Sequence, residues 1–148
     1  MALAGCGLTP VYGTNGQANI LRDAVSFGAP DTVAGFRLRD RLEERLGRAA
    51  APKYALGVQL SQTLTPATIT VDGDTTRFNL VGTADWVLRS AEGSSLTSGQ
   101  VETFTSFSAT GSTVATEAAA ADAAARLSVA LADLIVSRLI LAASDLPR

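Results

Sequence analysis

Residues 76–89 read TRFNLVGTADWVLR, and their alternation decides the fold. Phe78, Leu80, Gly82, Ala84, Trp86 and Leu88 fall on one face of an extended chain. Arg77, Asn79, Thr83, Asp85 and Arg89 fall on the other, together with Val81 and Val87. A period of two with one apolar face predicts an antiparallel strand packed on one side only. The stretch before it, KYALGVQLSQTL at 53–64, alternates in the same way, with Tyr54, Leu56, Val58 and Leu60 sharing a face. Ile69 and Val71 resume the pattern, and Asp72-Gly73 is a strong hairpin signal. Pro66 cannot donate to a ladder, so it predicts an edge position or a bulge. Downstream, the loop SAEGSSLTSG leads into QVETFTSFSA, a third strand with Val101 and Phe107 on one face and Phe104 opposite.

Helices flank this β region. Pro30-Asp31-Thr32 is a start signal, and Gly47 followed by Pro52 is a stop signal. Between them Leu38, Leu42 and Leu46 make a narrow stripe that needs one neighbour. Glu44 and Arg48 have the acid-before-base spacing of a weak helical ion pair. From Thr113 to about Ala143 one long alanine-rich helix is expected, spanning roughly 45 Å. Leu127, Leu131, Leu134 and Ile135 form one stripe on it, and Val129, Val136 and Ile140 a second, nearly opposite. Two stripes call for two neighbours: the sheet, and either the first helix or a partner. Asp133 and Arg138 interrupt the apolar run, which argues against a membrane span. Residues 19–28 hold a short strand in which Leu21, Val25 and Phe27 share a face.

The order strand, helix, three strands, helix predicts an α+β two-layer sandwich: an antiparallel or mixed sheet of about four strands with two helices on one face. One sheet face is then left to solvent or a partner. Leu42, Leu56, Leu80, Trp86, Leu131 and Leu134 are the expected core.

Composition bounds the function. At 148 residues, 47% hydrophobic and 18% charged, the chain suits one globular domain that buries roughly 68–70% of its unfolded surface. A net charge of −2 supplies no basic field, so no nucleic-acid partner is expected. With no histidine there is no Ser-His or Cys-His nucleophile and no histidine metal site. No phosphate-binding glycine loop occurs. The close acidic pairs, Glu43–Glu44 and Asp72/Asp74, read as solvated charges. No catalytic residue, metal or cofactor is expected, and the chain reads as a non-enzyme.

The single cysteine is Cys6, inside LAGCGLTPVYG at 3–13. Leu3-Ala4-Gly5-Cys6 resembles the lipobox of bacterial lipoproteins, in which the chain is cut before the cysteine and its thiol is acylated. Residues 1–18 then form a signal-peptide remnant, lipobox and flexible tether, and residues 19–148 a single domain. Gly7 stands where an aspartate favours inner-membrane retention, so the resemblance implies the outer membrane.

GCGLTPVYG also resembles the start of mature members of the LptE family, the lipopolysaccharide-assembly lipoproteins of Gram-negative bacteria. The downstream order of elements is similar, down to a terminal helix of the kind seen from Ala124 to Leu139. The resemblance implies a protein lipid-anchored on the periplasmic side of the outer membrane. It implies a plug that helps assemble an LptD-like β-barrel and contacts lipopolysaccharide in transit. The runner-up is another outer-membrane accessory or scaffold lipoprotein with no lipopolysaccharide role. The hydroxyl-rich, charge-poor region from Ser61 to Thr116 suits a polar barrel lumen, though threonine is also a good strand former. Lipopolysaccharide carries phosphates, and arginine pairs with phosphate through two N–H donors. Arg77 and Arg89, at opposite ends of one strand, are the candidate ligand-binding residues. Each also has a nearby acid, Asp74 for Arg77 and Glu92 for Arg89.

Overall fold

The structure is a computed structural model and describes residues 18–69 and 75–146. In chain order the elements are α1 (Ala18–Leu21), β1 (Val25–Gly28), α2 (Val33–Leu46), β2 (Tyr54–Ile69), β3 (Thr75–Ser90), β4 (Ser95–Ser108) and α3 (Thr113–Ala142), followed by a 3-10 turn at Ala143–Asp145. The strands form one mixed sheet in the order β1-β2-β3-β4. β1 runs parallel to β2, from Val25 beside Tyr54 to Gly28 beside Gly57. The other two pairings are antiparallel, with Leu56 opposite Leu88 and Ala84 opposite Val101. α2 and α3 cover one face, as the alternation required. The strand expected within 19–28 is confined to Val25–Gly28; Leu21 is buried from the helical turn α1 instead.

Local chemistry sets the ends of α2. The Thr32 hydroxyl accepts from the Gly35 N–H at 3.1 Å, and Gly47 ends the helix at φ 81°. A Cβ on Gly47 would lie 1.8 Å from Asp23 Oδ1, so both its backbone angle and its surroundings require glycine. Asp23, itself at φ 53°, donates its N–H to the Leu46 carbonyl at 2.7 Å. That bond ties the start of β1 to the end of α2. Pro66 meets both expectations for it. Among the described residues it lies where β2 has no neighbour beyond β1, and the register shifts between Pro66 and Thr68. The Asp72-Gly73 turn lies outside the described residues.

Leu38, Leu42, Leu56, Leu88, Leu127, Leu131, Ile135 and Leu139 form the centre of the core, all within 1% of full burial. Trp86 is buried as expected. Leu80 is only partly buried, and Leu134 is 38% exposed. Leu134 and Val129 flank a single broad buried arc. At about 100° per residue, Leu127, Leu131 and Ile135 lie toward one side of that arc and Val136 and Ile140 toward the other. The small residues Ser128 and Ala132 lie between them, both fully buried. The two stripes are thus two borders of one surface, whose neighbours are the sheet and α2.

α2 and α3 are also joined by charge. Arg41 grips both Asp133 oxygens at 3.0 Å, and Arg45 adds a bond of 2.7 Å to Oδ1. The bonds to Asp133, and then to Glu44, hold the Arg41 guanidinium above its usual pKa range. The expected Glu44–Arg48 pair does not form: Glu44 binds Arg41 at 2.8 Å, and Arg48 binds Glu43. A window of Thr113–Asp145 has a mean hydropathy of 1.8, long and apolar enough to cross a membrane. Asp133 and Arg138 therefore do not lower it below that threshold. Half of that window is buried within the domain, which accounts for its apolar character.

Candidate functional site

Among the described residues no helix covers the second face of the sheet. Across β2, β3 and β4 it presents rows of side chains fixed by register: Gln59–Asp85–Gln100, Ser61–Thr83–Glu102 and Thr63–Val81–Phe104. Many of its polar groups satisfy one another across strands. Gln100 donates to Asp85 at 2.8 Å, Thr83 to Glu102 at 3.3 Å, and Ser106 to Asn79 at 2.6 Å. Phe104 stands out of this face at 61% exposure. Strand alternation placed it there, opposite Val101 and Phe107, which are buried on the helix side.

Arg77 and Arg89 both lie on the bare face, exposed, as the alternation predicted. They are twelve positions apart on β3, about 40 Å along an extended strand, so one small ligand cannot engage both. Among the described residues neither arginine forms an ion pair, and Arg89 does not pair with Glu92. Asp74, the acid next to Arg77, lies outside the described residues. So does Cys6, the residue expected to carry the lipid.

The Arg89 end of the face is hollow. A concavity of about 960 Å³ opens there, lined by Gly28, Pro30, Gly57, Gln59, Arg89 and Gln100 among others. Gly28, Gly57, Val87 and Ser98 stand side by side across all four strands, and three of these four have little or no side chain. Arg89 lies over the gap, its Nη1 3.5 Å from where a Cβ on Gly57 would stand. The glycines are visible in the sequence. Their alignment depends on the parallel pairing of β1, which the sequence does not announce. Among the described residues no cluster of three acidic, histidine or cysteine side chains could hold a metal ion. The face offers shape, hydroxyl groups and one arginine at each end, neither in an ion pair among the described residues.

The profile of the LptE family, described as lipopolysaccharide-assembly, matches residues 23–139. The chain belongs to the LptE family. The matched range runs from Asp23 at the entry to β1 to Leu139 in the last turns of α3, so it takes in the whole sandwich. Solved structures share the fold. A lipoprotein from Caulobacter crescentus superposes with a TM-score of 0.71 at 23% identity, covering 87% of this chain and 98% of that one. Rare lipoprotein B from Shewanella oneidensis gives 0.62 at 11% identity, with 78% and 92% covered. Lipoprotein B from Nitrosomonas europaea gives 0.64 at 13% identity, with 82% and 84% covered. No curated protein sequence matches the chain. Membership places this chain in a lipopolysaccharide-assembly family.

Proposed function

We propose that this LptE-family protein is anchored to the outer membrane through acylated Cys6. There it plugs and helps assemble an LptD-like β-barrel and assists lipopolysaccharide transport to the cell surface. The observation that carries the reading is the bare sheet face of a family member. It is broad, rich in hydroxyl groups, and holds few charges, of which Asp85 and Glu102 are already hydrogen-bonded. Between Arg77 and Arg89 at its two ends, such a face meets the polar wall of a barrel lumen without stranding unpaired ions. Phe104 supplies an exposed aromatic anchor of the kind that concentrates binding energy at interfaces. The arginines at the two ends of β3 are the proposed phosphate contacts.

The test is co-purification of the full-length lipoprotein with the barrel from outer membranes. Phe104→Asp should reduce recovery of the barrel at least tenfold while leaving the fold intact. Arg77→Ala and Arg89→Ala should each leave the barrel bound, and at least one should weaken lipopolysaccharide binding at fixed salt. Recovery of the anchored protein without any barrel would favour the alternative, an accessory lipoprotein with no lipopolysaccharide role.

A further inference from the structure

β2 is an edge strand along most of its length. β1 covers it only as far as Gly57, after which the chain leaves through Ala29 and Pro30 toward α2. From Gln59 to Thr65 β2 pairs regularly with β3 on one side and, among the described residues, with no strand on the other. In an antiparallel pair alternate residues turn their N–H and C=O groups away from the partner, so this edge presents unpaired backbone donors and acceptors. Exposed edges are ordinarily guarded by charge, proline or a covering element. β2 carries no charged residue, and its only proline, Pro66, stands below the free stretch. The other edge of the sheet is different. β4 carries Glu102, and the Arg126 guanidinium on α3 donates to its Ser106 carbonyl at 3.3 Å.

Beneath the free edge of β2 lies an apolar slot of about 610 Å³. Leu60 and Gln62 of β2, Ala121 and Ala125 of α3, and Val33 and Arg37 at the start of α2 line it. The slot lies where the start of α2 meets the first half of α3, which at 30 residues is longer than α2 at 14. Leu64, one step further along the same side of β2, is 50% exposed.

We propose that β2 accepts an added β-strand along Gln59–Thr65, supplied by an extended segment of a partner polypeptide with apolar residues at every second position. Two observations select this occupant together. The edge backbone needs hydrogen-bonding partners, and another backbone supplies them at the right spacing. The slot lies on one side of the sheet plane, so it takes alternate side chains of the added strand and leaves the rest facing out. An acyl chain would fill the slot but leave the edge groups unpaired. The added strand would continue the line of β1 and complete the sheet where β1 leaves it. The inference does not rest on the barrel or on lipopolysaccharide, and it concerns a different surface from the bare sheet face.

The test uses the full chain and a fluorescein-labelled nine-residue peptide of alternating threonine and valine with terminal lysines. Fluorescence anisotropy should show saturable binding, and hydrogen exchange of the 59–65 backbone should slow when the peptide is added. Ala121→Leu, which fills the slot with a good helix former, should weaken binding at least tenfold. Ser61→Lys, which charges the edge, should do the same, and Thr83→Lys on the interior strand should change it less than twofold. The proposal is overturned if the peptide fails to bind up to about 1 mM, or if protection appears at 95–108 instead. It is equally overturned if dodecanoate displaces the peptide from an edge whose exchange never slowed. Sedimentation of the free chain as a dimer with 59–65 already protected would assign the edge to a second copy and overturn it too.

Discussion

Replacing Gly35 with alanine sets two effects of known size against each other. Gly35 is the third residue of α2, and in a helix alanine is favoured over glycine by about 1 kcal/mol. On propensity alone Gly35→Ala stabilises the protein. The structure predicts the opposite. A Cβ at this position would lie 2.0 Å from the Pro30 carbonyl oxygen and 3.0 Å from its carbonyl carbon. These are backbone atoms and cannot rotate aside, so the Pro30–Thr32 entry must shift by roughly an ångström. Overpacking of that kind costs about 1–3 kcal/mol. The shift also pulls on Thr32, whose N–H donates to Pro30 at 2.8 Å and whose hydroxyl caps the helix, a cap worth about 1 kcal/mol. The balance is a net loss of about 1–3 kcal/mol, or a fall in Tm of roughly 2–10 °C for a chain of this size. Thermal unfolding followed by circular dichroism measures it. Gly28→Ala is the control, since its nearest contact would be the Leu56 carbonyl at an ordinary 3.7 Å, and its Tm should stay within about 2 °C of the parent. A rise in Tm for Gly35→Ala would refute the packing of the Pro30 turn on α2.

Leu131→Ala should cost about 2–5 kcal/mol in chemical denaturation, because Leu131 is fully buried beneath Gly82. Leu134→Ala, at a site 38% exposed, should cost under about 1 kcal/mol; equal losses would mean that the helix register is wrong. Asp133→Ala leaves Arg41 and Arg45 without their shared acceptor and should lower stability by about 1 kcal/mol, an effect that shrinks in 1 M salt. In cells, Cys6→Ala should abolish palmitate labelling and release the protein from membranes lacking the barrel. Continued membrane association there would dismiss the anchor.

The faces of the strands were legible because a period of two with one buried side admits one register. That sufficed to separate Phe104 from Val101 and Phe107, and to put Arg77 and Arg89 on the polar face. The ends of α2 were legible because Thr32 and Gly47 are local signals. The arc of α3 was not, since its centre is occupied by Ser128 and Ala132, which carry little hydrophobic weight, while the bulkier Leu134 and Val129 sit at its borders. The partner of Arg48 was missed for a related reason: the residue ends beyond the last helical turn, where spacing rules no longer fix direction, and it reaches Glu43. Gly82 and Gly99 do a job that only the folded chain reveals. Added Cβ atoms there would come within 2.8 Å of Leu127 and of Trp86. The hollow at the Arg89 end was hidden because it needs glycines from two strands that only a parallel crossover brings side by side.

The position of α3 in the chain order has a consequence for how the protein is made. All four strands precede it, and most of the apolar surface that covers β3 and β4 lies between Leu127 and Ile140. Until that segment has been synthesised, the helix-facing side of the sheet has nothing to close against, and the barrier to forming long-range strand pairs goes uncompensated. Closure of the sheet is therefore expected to wait for the Leu127–Ile140 segment of α3. Under the proposed anchoring through Cys6, which requires export, that order delays compaction until the chain has crossed the secretion channel.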